Sequence, residues 1–138
     1  MDVIHIEQIR ADLTWRIRHE VLYPNMPFEQ IRLEEDGEGM HFGLFAKNQL
    51  LSVVSLFRSN DSYQFRKFAT LEAEQGNGYG SKLLAYIIDY VRFAHGKKLW
   101  CNARLSAIAF YKKFGFVETD TYFTRDYIDF VVMELVLD

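Results

Sequence analysis

Residues 74–85 read EQGNGYGSKLLA. Gly76, Gly78 and Gly80 alternate with larger residues, and Leu83, Leu84, Ile87, Ile88 and Val91 then recur at helical spacing. The residues just before them, YQFRKFATL at 63–71, read as a strand. A strand, a glycine turn and a helix start bring several unpaired backbone N–H groups together, and the helix dipole adds partial positive charge there. Glycine lacks the Cβ atom that would hold a bulky anion away, so the segment suits a phosphate or pyrophosphate. A tight strand-to-helix turn with no ligand would use the same glycines. The P-loop pattern G-x-x-x-x-G-K-[ST] fails, because no glycine stands at the required offset from Gly80-Ser81-Lys82. The dinucleotide pattern G-x-G-x-x-G also fails: position 81 is serine, and KKLWCNA at the expected distance carries no acid.

Working outward, VIHIE at 3–7 alternates like a first strand. Leu13, Ile17 and Val21 predict a helix that Asp12 could cap and that ends at Pro24 and Pro27. The acidic stretch EQIRLEEDGEG at 29–39 follows. HFGLFA at 41–46 and LLSVVSLF at 50–57 predict a hairpin around KNQ, and SNDS at 59–62 is a turn into the next strand. After the glycine segment and its helix, Gly96 in HGKK reads as a C-cap. KLWCNA at 98–103 is a strand, and Ala107, Phe110, Tyr111 and Phe114 mark a short helix. FVETDTYF at 116–123 and DFVVMELVL at 129–137 form a final antiparallel pair. This order predicts an α/β domain with one mixed sheet and crossover helices between central parallel strands.

The 138 residues fit one domain spanning 1–138, and 49% hydrophobic content supports a packed core. The net charge is −3 with no Lys/Arg run, so nucleic acid is not an expected partner. The apolar runs are too short to cross a bilayer. With charge in MDVIHIEQIR and a single cysteine, a cytoplasmic setting without a leader or disulfide is expected. No His/Cys cluster has metal spacing, so no metal is expected.

Gln75-Gly76-Asn77-Gly78-Tyr79-Gly80 resembles motif A of the GNAT superfamily, the acyl-CoA-dependent N-acetyltransferases, whose pattern is Gln/Arg-x-x-Gly-x-Gly/Ala. NARLSAIAFYKKFGF at 102–116 resembles the family's motif B, with Ala107, Phe110, Tyr111, Gly115 and Phe116 in the places of A-x-x-F-Y-x-x-x-G-F. LWCNAR, ATL and RHEVLYPNMP look like a small bacterial subgroup of that superfamily. The resemblance implies a GNAT fold: an α/β (α+β) domain with one mixed, mostly antiparallel sheet, splayed central parallel strands and flanking helices. It implies acetyl-CoA as cosubstrate, with its pyrophosphate on the backbone of Gln75, Gly76, Asn77, Gly78, Tyr79, Gly80 and Ser81. It further implies the pantetheine arm along Phe68, Ala69 and Thr70, Asn102 facing the arm, and Tyr111 giving a proton to the departing thiolate.

Several readings stay open. Tyr111 lies on an apolar stripe and Asn102 could cap a helix. Glu74 puts an acid beside the turn, where it is either solvated or weakens cofactor binding. Cys101 sits in an apolar strand, as inert buried thiols do. Glu29, Glu34, Glu35, Asp36 and His41 are candidates for the base that frees the amine, with Glu29 and Glu35 singled out, unless 34–39 is only a solvated loop. That acidic stretch could also attract a cationic amine. The acceptor is a small-molecule or peptide amine, and the C-terminal strands could form a homodimer. The alternative function is a degenerate domain that binds acyl-CoA as a sensor.

Overall fold

A computed structural model describes residues 3–137. Seven strands form one sheet in the order β1-β2-β3-β4-β5-β7-β6. They are β1 (His5–Ile9), β2 (Met40–Ala46), β3 (Gln49–Ser59), β4 (Ser62–Thr70), β5 (Lys98–Arg104), β6 (Val117–Arg125) and β7 (Ile128–Val136). Three α-helices accompany them: α1 (Trp15–Ile17), α2 (Tyr79–Phe93) and α3 (Ile108–Lys112). The predicted order of elements holds, and the mixed sheet matches the expected fold class. The chain forms two compact units, Met1–Phe57 with Arg66–Ile87, and Arg58–Phe65 with Ile88–Asp138.

In the first unit β1 pairs antiparallel with β2, and β2 with β3. The hairpin forms because Lys47 and Asn48 both adopt positive φ, 55° and 61°, the backbone twist that two-residue hairpin turns require. Val53, Val54 and Leu56 of β3 are buried, as is Ala69 of β4. Ile17 joins Val53 and Ala69 in one apolar cluster, with Val21, Leu50 and Leu71 packed on it. Removing each such aliphatic chain from water contributes about 1.5–3 kcal/mol.

The helix predicted from Asp12 is less regular than its spacing suggests. A 3-10 turn, Ala11–Thr14, leads into α1, which widens into a π turn over Arg18–Leu22. Asp12 is not its cap. Arg10 holds the cap position without a side-chain bond, and the Asp12 carboxylate instead accepts from Arg10 Nε at 3.0 Å.

In the second unit β4 and β5 are parallel over three register pairs, Ser62↔Lys98, Tyr63↔Leu99 and Gln64↔Trp100. β5 then runs antiparallel to β7 from Lys98↔Val136 to Arg104↔Phe130. Alternation buries Leu99, Cys101 and Ala103 on one face of β5 and leaves Trp100, Asn102 and Arg104 on the other. β6 closes the sheet against β7 with a register shift between Glu118 and Tyr122. At that bulge Thr119 donates to the Val132 carbonyl at 2.8 Å.

Helix α2 buries the predicted stripe of Leu83, Leu84, Ile87, Ile88 and Val91. Its end corrects the reading of Gly96. His95 takes the left-handed position, φ 64°, and the Gly96 N–H reaches back to the Val91 carbonyl at 2.9 Å, the wide bond of a Schellman end. Gly96 is needed for space: a Cβ there would lie 2.4 Å from Val91 Cγ1 and 2.9 Å from the Tyr63 ring. Gly96→Ala should therefore cost about 1–3 kcal/mol by overpacking. Thermal melts of the two proteins check this; an unchanged Tm would mean that Val91 and Tyr63 yield freely.

Candidate active site

The glycine turn belongs to the first unit. After β4, a 3-10 turn over Glu72–Glu74 leads through Gln75–Gly78 into α2. Gly76 and Gly78 have φ of 85° and 81°, and an added Cβ at either would meet nothing within 4 Å. Their need for glycine is thus conformational, in a turn open to solvent on its outer side. Gly80 differs, since a Cβ there would approach Thr70 Oγ1 at 3.3 Å and the Phe68 ring at 3.4 Å. Among the described residues, no acceptor pairs with the backbone N–H groups of Gly76, Asn77, Gly78, Tyr79, Gly80 or Ser81; the first helical bond is Lys82 N–H to Gly78 O at 3.1 Å. Side chains brace the turn from inside: Gln75 Nε2 donates to the Thr70 carbonyl and Asn77 Nδ2 to the Glu74 carbonyl. Glu74 is neither simply solvated nor an uncompensated charge. Lys47 of the hairpin turn meets its carboxylate at 3.0 Å.

On β4 the three expected residues separate into two edges. Leu71 N–H bonds the Leu51 carbonyl of β3, and the Ala69 carbonyl accepts from Ser52 Oγ at 3.1 Å. Ala69 therefore departs from the expectation, its carbonyl committed to β3 and its side chain buried. Alternation turns the backbone of Phe68 and Thr70 to the opposite edge.

Lys67, just before them, has φ 54° inside a strand, a conformation that costs a non-glycine residue of order 1–3 kcal/mol. Two consecutive cations, Arg66 and Lys67, reach the same segment. Arg66 donates to Glu35 at 2.7 Å, and Lys67 donates to the Tyr23 hydroxyl with its ammonium 4.5 Å from the centre of the Tyr23 ring.

That segment, residues 23–38, hangs on a buried polar network. Arg18 is fully buried and makes a two-pronged pair with Asp36, both contacts at 2.9 Å. Trp15 Nε1 and the Leu33 N–H also donate to Asp36. Arg18 donates again to Ser55 Oγ at 2.8 Å. The Asp36 carbonyl can only accept, so His41 Nε2 carries the proton it shares at 2.8 Å. The Ser55 hydroxyl is then free to donate to His41 Nδ1 at 2.7 Å. Arg18 Nε alone stays buried without a partner among the described residues.

Residues 34–38 are consequently not a plain solvated loop, and Asp36 and His41 are spent on structure. Glu35 is tied to Arg66, whose hydrogen bond holds its carboxyl below the usual range, which makes it a weak proton acceptor. The expected attraction of a cationic amine loses two of its three charges, Glu35 and Asp36, to these arginine partners. Glu29 and Glu34 are exposed, without partners among the described residues. Beside the segment's root, Glu20 and Val21 face Leu71, Glu72 and Ala73 across an open groove of about 370 Å³.

The second unit carries Tyr111, on α3. Its ring packs against Phe65 and Phe116, with centroids 5.7 and 5.8 Å away. Burial first, and Cys101 second, push its phenol well above the usual tyrosine range, with Arg104 opposing. Its hydroxyl has no hydrogen-bond partner among the described residues. Tyr111 is thus both an apolar-cluster residue and a protonated, uncommitted donor. Asn102 is exposed and does not cap the following turn, whose cap is Arg104. Burial pushes the Cys101 thiol up to about 12, which leaves it inert. Among the described residues no group of His, Cys, Asp and Glu could hold a metal ion, and no helix is long and apolar enough to cross a membrane.

A family model described as an acetyltransferase (GNAT) domain matches residues 9–137. YitI of Bacillus subtilis (strain 168), an uncharacterized N-acetyltransferase, is 30% identical over 125 residues, 84% of each chain. The structure resembles the ribosomal-protein-S18-alanine N-acetyltransferase from Escherichia coli with a TM-score of 0.80 at 20% identity, covering 98% of this chain and 94% of that one. A GNAT family acetyltransferase from Elizabethkingia anophelis, solved with acetyl-CoA bound, matches with a TM-score of 0.78 at 17% identity over 97% and 98% of the two chains. The chain belongs to the GNAT acetyltransferase family.

The Arg18–Asp36 pair yields a stability prediction. Burial alone would raise the Asp36 carboxyl, but the hydrogen bonds from Arg18, Leu33 and Trp15 and the Arg18 charge outweigh it, so the folded pKa lies below the ordinary value. Stability from this group is therefore complete above the unfolded pKa, about 3.9, and is lost as pH falls from there through the folded value. Asp36→Asn strands the Arg18 charge and should cost about 3–5 kcal/mol near neutral pH. It should also flatten the acid limb of stability against pH. Chemical denaturation from pH 7 down to pH 3 checks both; a variant within experimental error of the parent would remove the pair from the structure's foundations.

Proposed function

We propose that the chain is a single N-acetyltransferase domain, which transfers acetyl from acetyl-CoA to a primary amine in a ternary complex. The observation that carries this is the run of backbone N–H groups from Gly76 to Ser81 with no protein acceptor. Such a run at a helix start, open to solvent, fits a pyrophosphate. Lys47 pairs with Glu74 and so offsets the charge of the acid nearest the turn.

Acetyl-CoA, when bound, supplies an acetyl group activated as a thioester. The Gly76–Ser81 backbone donates to its phosphates. The backbone of Phe68 and Thr70 bonds the amide arm, and an N–H of this stretch polarises the acetyl carbonyl. Asn102, exposed on the face of β5 opposite Cys101, is assigned an amide contact to the arm. The amine nitrogen bonds to the acetyl carbon as the carbon–sulfur bond breaks. Tyr111 holds its proton at Oη and delivers it to the leaving sulfur, and the proton shed by the amine restores the phenol through solvent. Its raised pKa keeps the donor protonated, so kcat should show no alkaline loss below about pH 10. Glu29, exposed and unpartnered, is the carboxylate of its segment assigned to help remove the amine's proton.

Titration calorimetry should find micromolar acetyl-CoA binding that Gly78→Glu abolishes; no binding to the parent protein would end the transferase reading. Tyr111→Phe should keep that affinity and lower kcat by about 10²–10⁴-fold. Turnover unchanged in Tyr111→Phe would return the residue to the core. Binding without turnover of any amine would favour the acyl-CoA sensor.

A further inference from the structure

Lys67 combines features that a purely structural lysine does not need. It is half-buried and held in a left-handed conformation within a strand. Among the described residues its ammonium meets the Tyr23 phenol, by one hydrogen bond and by the ring face. Other cations of the first unit have a carboxylate: Arg66 has Glu35, Arg18 has Asp36, and Lys47 has Glu74. No carboxylate of the described residues lies within the 4.0 Å ion-pair distance of Lys67 Nζ. An ammonium has three donors, and Tyr23 uses one. A half-buried cation with donors open to solvent can take an anion brought from outside. Lys67 immediately precedes Phe68, whose backbone edge carries the acetyl arm in the proposed reaction. From there β4 runs to Leu71–Ala73, which line the open groove with Glu20 and Val21.

We propose that Lys67, steadied by Tyr23, binds an anionic group on the acceptor, so that the preferred substrates are small amines that also carry a carboxylate. This rests on the transferase reading above. The carboxylate accepts from Lys67 Nζ, while the amine end lies toward the groove, where Glu20 and Glu72 face it.

The test compares β-alanine, 4-aminobutanoate and 6-aminohexanoate with their primary amides, following thiol release from acetyl-CoA. At one or more spacings the acid should exceed its amide in kcat/KM by about tenfold or more, the difference a charge-assisted hydrogen bond makes. Lys67→Met should erase that preference by raising KM for the acid, with amide kinetics and acetyl-CoA affinity unchanged. Lys67→Arg should keep the preference, which separates charge from folding should Lys67→Met prove unstable. Acids and amides used equally at every spacing overturn the proposal, as does a Lys67→Met variant that slows both alike. Thiol release with no amine of either kind instead brings down the transferase reading, and this inference with it.

Discussion

The first unit is organised around a charge that has no access to water. Arg18 is fully buried, and burying an unpaired guanidinium would be prohibitive, so its surroundings must answer it. Asp36 does so with both carboxylate oxygens, Ser55 accepts a further bond, and Trp15 and Leu33 satisfy the rest of the carboxylate. Four parts of the chain meet there: the turn around α1, the 33–38 segment, β2 through His41 and β3 through Ser55. A hydrophobic cluster at this place would have tolerated several registers of the exposed 24–30 stretch. A two-pronged ion pair tolerates one. The segment beside β4 has its course because both its root and its end are pinned.

The glycine turn obeys a different economy. Its outer side is open, so nothing about packing demands glycine at 76 or 78. Backbone conformation does, and the result is a row of N–H groups that the protein leaves unanswered. The acid nearest the turn, Glu74, is held by the hairpin lysine. In the second unit, burial has opposite uses for two neighbouring acids. It silences Cys101, and it keeps Tyr111 loaded with a proton that no protein acceptor claims.

Patterns that are local in sequence were legible. Glycine alternation followed by an aliphatic stripe located the turn and α2, and the hairpins followed from alternation and turn residues. Errors came where two local signals competed. Asp12 has the chemistry of a cap, yet Arg10 two residues away claims its carboxylate. Gly96 looks like a left-handed cap, but His95 adopts that conformation, and the glycine is there for the Tyr63 ring. Ala69 sits between Phe68 and Thr70, but its carbonyl is turned to β3, where Ser52 Oγ donates to it. The polar network and the Lys67–Tyr23 contact join residues 18 and 44 positions apart, a distance over which no periodicity speaks. Within the acidic stretch, composition could not distinguish Asp36, buried, from Glu34, exposed, because the difference lies in an arginine on another element.

The chain has one cysteine, and its thiol is buried in β5 and pushed far from ionisation at neutral pH. Thiol-reactive dyes act on thiolates. The folded protein is therefore nearly silent toward such dyes, and a signal in their presence reports coenzyme A set free in solution. The same property makes the protein its own folding gauge: dye uptake without any acyl donor measures how often β5 opens.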